Sequence, residues 1–130
     1  MEYTPLSESI EEIGNAIVNA AFKVHKELGP GLLERIYEAC MAHELIKAGY
    51  SVKRQVEIPF IYDNIIFEEG LRLDLLVNNS VIIELKAVEL VNPVWKAQII
   101  SHLKLTELPL VHLINFNVPL IKQGISRFRV

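Results

Sequence analysis

The 130-residue chain has one cysteine, one tryptophan and only two aspartates. A lone Cys40 excludes an internal disulfide framework and any cysteine-based zinc cluster. No apolar run approaches the roughly 18 residues that span a bilayer, so no membrane association is expected. Residues Met1 to Pro5 form neither a basic segment nor an apolar one. No secretory leader is therefore visible, and a cytoplasmic location is expected. The chain also lacks an internal repeat, a low-complexity tract and a Pro/Gly/Ser linker. Strong charge is missing too: 13 Lys and Arg stand against 16 Asp and Glu, a net of -3. That is no general signature of a nucleic-acid protein. The balance is uneven, however. Residues 1–70 carry 12 acids and 6 bases, whereas residues 71–130 carry 4 acids and 7 bases. The second half can therefore present a locally basic surface.

What is present is an ordinary globular composition, 51% apolar and 22% charged, which argues against disorder. The length suits one domain over residues 1–130, large enough to bury a core without covalent staples. Ser7 or Ser9 can cap a first helix, and Ser9 with Glu12 reads as a capping box. Ile10, Ile13, Ile17, Ala20, Ala21 and Val24 follow at helical spacing. Gly29-Pro30-Gly31 interrupts. A second helix is predicted from Leu32 to Ala48, with Leu33, Ile36, Tyr37, Cys40 and Leu45 on its apolar face and Gly49 closing it. The period then changes to two. Strands are predicted over Val52 to Tyr62, Ile65 to Val77 with a bend at Gly70, and Ser80 to Val88, joined at Asp63-Asn64 and Asn78-Asn79. Pro93 suits the start of a third helix reaching about Thr106. Pro109 to Phe116 reads as a central strand, apolar on both faces, and Ile125 to Val130 as a last one. The order is α-α-β-β-β-α-β-β: a mixed sheet flanked by helices, with one right-handed parallel crossover.

Three charges sit where charge is costly. In Val81-Ile82-Ile83-Glu84-Leu85-Lys86, Glu84 and Lys86 interrupt an apolar run and share one face. Asp74 lies inside Leu71 to Val77, although aspartate is depleted in strands. A two-residue turn at Asn78-Asn79 would place Asp74 diagonal to Glu84 but on the opposite face. A longer turn or a bulge would bring them together. Two carboxylates and a lysine are what a Mg²⁺ phosphodiesterase site requires: hard oxygen donors for the ion, and an ammonium to orient water or offset developing charge. The same three residues could instead form an ion pair on a half-exposed sheet face.

Asp74, nine residues, then Glu84-Leu85-Lys86 resembles the D-x(n)-E-x-K core of the PD-(D/E)XK nuclease superfamily. Gly31-Leu32-Leu33-Glu34-Arg35-Ile36-Tyr37 matches the signature of the GxxExxY family, a branch of it. Val24-His25, Arg54-Gln55 and Asn115-Phe116 are similar to that family as well, so the resemblance covers nearly the whole chain. It implies a restriction-endonuclease-like α/β core and metal-dependent nuclease activity with Mg²⁺ (or Mn²⁺). By the same resemblance Asp74 and Glu84 are metal ligands, Lys86 is the catalytic lysine, and Glu34 is a further helical carboxylate at the metal. Gln98 matches the glutamine of a Q-x-x-x-Y motif, with His102 in place of the tyrosine, which implies a substrate-binding pair. Leu73 stands where the superfamily name has proline. Taken alone, Glu34 is an acid favoured at a helix start, Tyr37 a core residue with a bonded hydroxyl, and Trp95 a packing residue.

Nucleic acid is the implied partner, DNA before RNA, with a homodimer or a partner protein also open. A second reading keeps the fold without strong catalysis, as an accessory protein acting with a partner. The small size and weak basic balance favour it, whereas the intact Asp74, Glu84 and Lys86 favour the enzyme.

Overall fold

The computed structural model describes residues 5–129. The elements are α1 (Glu8–Leu28), α2 (Glu34–Lys47), β1 (Val52–Tyr62), β2 (Ile65–Val77), β3 (Val81–Lys86), α3 (Val94–Thr106), β4 (Leu110–Asn115), a 3-10 turn (Ile121–Gly124) and β5 (Ile125–Arg129). The sheet runs β1-β2-β3-β4-β5. Only β3 and β4 are parallel; the other neighbours are antiparallel. This is the expected α/β order, a mixed sheet of restriction-endonuclease-like type. Among the described residues, no helix is long and apolar enough to cross a membrane.

Alternation along the strands builds two cores. Leu75, Val77, Val81, Ile83, Leu85, Leu110 and Ile114 pack with α1 and α2. Leu73, Leu76, Ile82, Val111 and Leu113 pack with Trp95, Ile99 and Leu103 of α3. The sheet is thus the middle layer between two helices and one. Buried apolar area of this kind is the main stabilising contribution.

Local details differ from the sequence reading in instructive ways. Ser7, not Ser9, caps α1, its hydroxyl accepting from the Ile10 amide at 3.3 Å. The inward face of α2 is Tyr37, Glu38, Met41, Ala42 and Leu45, whereas Leu33 and Ile36 are exposed. The face is rotated because Tyr37 is anchored. Its hydroxyl donates to the Gly29 carbonyl at 2.6 Å and accepts from the Leu32 amide at 3.1 Å. Its ring stacks on Phe116, with centroids 4.4 Å apart. Gly31 completes this turn at φ 101, a conformation costly for other residues. The bend expected at Gly70 is a bulge: Ile58 pairs with Leu71 and Phe60 with Phe67. Pro59, which has no amide to donate, thus stands opposite three residues, and Phe60 packs directly on Gly70. β3 ends at Lys86 rather than Val88. The Asn115 side chain holds the exit, accepting from the Val88 amide at 3.3 Å and donating to its carbonyl at 3.0 Å. The last strand is described to Arg129, and Val130 lies outside the described residues.

Tyr37→Phe removes both polar contacts of a fully buried hydroxyl and leaves the Gly29 carbonyl without that donor. The expected loss is about 1–3 kcal/mol in urea unfolding. A loss under about 0.5 kcal/mol would mean that the ring alone holds the turn.

Candidate active site

The site lies where β2 and β3 part. The turn between them has three residues, since Val77 pairs with Val81, and Asn78 and Asn79 both take positive φ. Pairing continues through Leu76–Ile82 and Leu75–Ile83. The next rung brings Asp74 level with Glu84, on one face. The longer turn is therefore what aligns the two carboxylates.

At that rung, side chains replace the backbone ladder. The Asp74 amide donates to Glu84 Oε1 at 3.4 Å, and the Leu85 amide donates to Asp74 Oδ2 at 2.8 Å. Each strand's carboxylate caps the other strand's backbone. The Asp74 carboxyl lies near enough to add to the rise of the Glu84 pKa. Like charges at such range disfavour double ionisation.

Glu84 is buried, 7% exposed. Its pKa is pushed up to about 7, first by desolvation, against the lowering effect of His102, and with Asp74 reinforcing the rise. His102 Nδ1 stands 3.1 Å from Glu84 Oε1, an ion-pair distance, but its N–H is not aligned for a full hydrogen bond. His102, expected beside Gln98 on a substrate-facing surface, is instead turned inward and buried. The reason is electrostatic: the α3 face of β3 carries a buried carboxyl that needs a partner. Gln98, one turn earlier, remains exposed. Among the described residues no hydrogen bond ties it to the carboxylates.

Lys86 follows on the same strand face and is half-buried. Its Nζ sits 5.5 Å from the centre of the Trp95 ring, within cation–π range. Trp95 is buried in the α3 core, so it holds the lysine and offers no face to a base. Glu34 opens α2 from the opposite layer. Although exposed as a residue, its carboxyl is raised above the usual range by desolvation and then by the Asp74 charge, with Lys86 opposing. Glu34, Asp74 and Lys86 therefore share one electrostatic environment despite their separation in sequence.

Three participants were not singled out as site residues from sequence. Glu38, one turn after Glu34, is buried. It accepts from Arg54 Nε at 3.1 Å, pairs with Arg54 Nη2 at 3.1 Å, and accepts from Gln55 Nε2. Helical spacing from Glu34 was the available signal. Nothing in a strand pattern announces Gln55 at φ 52.

A divalent cation fits this donor chemistry in a limited way. Asp74 and Glu84 offer hard oxygens on one rung of the sheet. Among the described residues no three His, Cys, Asp or Glu gather closely enough to hold an ion unaided. Just past Lys86 in the chain, Ala87, Val88, Glu89 and Leu90 line an open trough of about 580 Å³ with Gly31, Leu32 and Asn117.

Glu84 and His112 make opposite contributions to stability against pH. His112 faces Gly14 of α1 and is 1% exposed. Burial lowers its pKa to about 4, with Arg127 adding to the shift and Glu11 opposing it. Folding therefore favours neutral His112, and stability is lost as pH falls from 6.5 to about 4. Folding also favours protonated Glu84, and stability is lost as pH rises from 4.5 to about 7. Each amounts to about 3 kcal/mol. In chelator, wild type should be nearly flat between pH 4.5 and 6.5. Glu84→Gln should gain stability with rising pH there, and His112→Leu should lose it. Urea midpoints across that range check this; variant profiles parallel to wild type would refute it.

The model of the PD-(D/E)XK nuclease superfamily matches residues 11–128. No curated protein matches the chain, and no solved structure does. The matched span includes all of β1 to β4 and every carboxylate described above, so the chain belongs to the PD-(D/E)XK nuclease superfamily.

Proposed function

We propose that this protein is a divalent-metal-dependent nuclease of the GxxExxY branch, hydrolysing phosphodiester bonds of DNA in preference to RNA. The observation that carries the reading is the reciprocal capping of Asp74 and Glu84 at the β2–β3 fork, with Lys86 held beside them on Trp95.

Asp74 and Glu84 would hold Mg²⁺ or Mn²⁺, and Glu34 would reach it through water. The ion would supply Lewis-acid activation of the phosphodiester and of water. The chain's own residues carry the rest. Glu34 would take a proton from an attacking water. The Lys86 ammonium stabilises negative charge growing on the phosphoryl oxygens. His102 compensates Glu84 when the carboxylate is ionised. Exposed Gln98 is available to orient the substrate backbone. The trough is open rather than enclosed, as an extended polymer requires.

Lys86→Ala should reduce Mg²⁺- or Mn²⁺-dependent cleavage of a labelled oligonucleotide about 10²–10⁴-fold. Unaltered cleavage by Lys86→Ala would remove the lysine from the mechanism.

Metal binding can be read without turnover. Mn²⁺ should raise the thermal midpoint of wild type and not of Asp74→Asn. Without metal, Asp74→Asn should be at least as stable as wild type. Its Oδ1 can still accept from the Leu85 amide, and one of two repelling charges is gone. A strongly destabilised metal-free Asp74→Asn, with no metal effect on wild type, would instead favour a structural pair, whose breakage costs roughly 3–5 kcal/mol.

A further inference from the structure

We infer that Arg54, clamped by Glu38 and Gln55, is a binding subsite for a backbone phosphate of the nucleic acid beside the reacting one. The inference rests on the nuclease reading and extends it to residues outside the carboxylate cluster.

β1 carries backbone strain at one residue. Gln55 lies inside β1, where φ should be strongly negative, yet its φ is 52. A non-glycine residue in the left-handed region costs of order 1 kcal/mol or more, and such strain concentrates at functional positions. Its position is specific: Arg54 pairs with Leu75 and Val56 with Leu73. Gln55 therefore occupies the rung of Asp74.

The strain has an identifiable effect. In a regular strand Arg54 and Gln55 would point to opposite faces. Here both side chains reach Glu38 on α2. One buried carboxylate thus receives two consecutive residues of a strand. Glu38 and Arg54 alone would have satisfied the charge, so the added amide chiefly fixes orientation. The guanidinium uses Nε and Nη2 on Glu38. Among the described residues no other side chain engages it, and 48% of the Arg54 side chain is exposed. Its Nη1 has no hydrogen-bond partner among the described residues.

The local charge says what such a group binds. Glu34, Glu38, Asp74 and Glu84 make this region acidic, and Glu34 and Asp74 act on one another. A polyanion lying over it needs fixed positive charge close by. Lys86 supplies one such charge at the carboxylates, and Arg54 a second one rung away. A guanidinium held by a carboxylate, with free donors left over, suits a phosphate in geometry as well as charge.

The test is binding rather than turnover. A fluorescein-labelled duplex DNA is titrated in EDTA at several salt concentrations, with single-stranded DNA and RNA alongside. Arg54→Gln keeps donors for Glu38 and removes the charge. It should weaken binding about tenfold and reduce the slope of log K against log salt by about 0.9, one phosphate contact. Arg127→Gln is the control. Arg127, on β5 at the opposite edge of the sheet, pairs with Glu11 of α1, and its loss should leave the slope unchanged. If Arg54→Gln fails to fold, Glu38→Gln/Arg54→Gln removes both charges of the pair and should show the same slope change. Wild-type slope and affinity in a folded Arg54 variant would overturn the subsite alone. A wild type that binds none of the three probes at low salt would overturn the nuclease reading and the subsite with it.

Discussion

The structure depends on the exchange of two hydrogen bonds at one rung of the sheet. Beyond Leu75 and Ile83 the β2–β3 ladder is continued by side chains, each carboxylate accepting an amide of the facing strand. Backbone groups in a buried sheet must find partners. Satisfying them with Asp74 and Glu84 brings two negative charges into a partly desolvated space. The amides offset some of that charge, His102 offsets more from one side, and a proton on Glu84 near neutral pH supplies what is missing.

The neighbouring strand adapts to that rung. Leu73 and Leu75 are two residues apart, so regular alternation would put them on one face. They lie in opposite cores instead. Across from the interruption stands Gln55 in its left-handed conformation. The break in alternation on β2 and the positive φ on β1 are one local distortion shared by two strands. Its result is that Asp74 meets Glu84 while Arg54 and Gln55 meet Glu38. Rigid strands on either side hold the distortion, because the Leu75–Ile83 and Val56–Leu73 pairs are both intact.

How much of this was legible in the sequence depends on the kind of signal. Element order and type follow from periodicity, and all five strands and three helices are where the pattern puts them. Asp74, Glu84 and Lys86 were legible because charge inside apolar strands has to be explained. The length of the Asn78 turn was not: both two- and three-residue turns accept asparagine at positive φ, and only the packing of both faces selects one. The α2 face was misread because Leu33 and Ile36 are apolar, whereas Glu38 looks like a surface residue. Burial of Glu38 is fixed by Arg54 and Gln55, 16 and 17 residues away, and no helical pattern contains them. The inward turn of His102 has the same origin, since its partner lies on another element.

The short motif at the start of α2 can be understood in these terms. Glycine, glutamate and tyrosine at its three fixed positions perform one task. Gly31 permits the backbone to double back before the helix. Tyr37, one turn into the helix, reaches back over that loop and binds it at Gly29 and Leu32, while Phe116 at the end of β4 fixes its ring. With the loop held from inside the helix and from the sheet, the first helical residue has no freedom to drift. That residue is Glu34, and the Asp74 charge raises its pKa from across the layer boundary. The tyrosine therefore sets where the helix begins, and with it the position of Glu34. The same anchoring turns Glu38 inward, where it meets Arg54. One buried hydroxyl thus positions two carboxylates: Glu34 near Asp74 and Glu38 on Arg54.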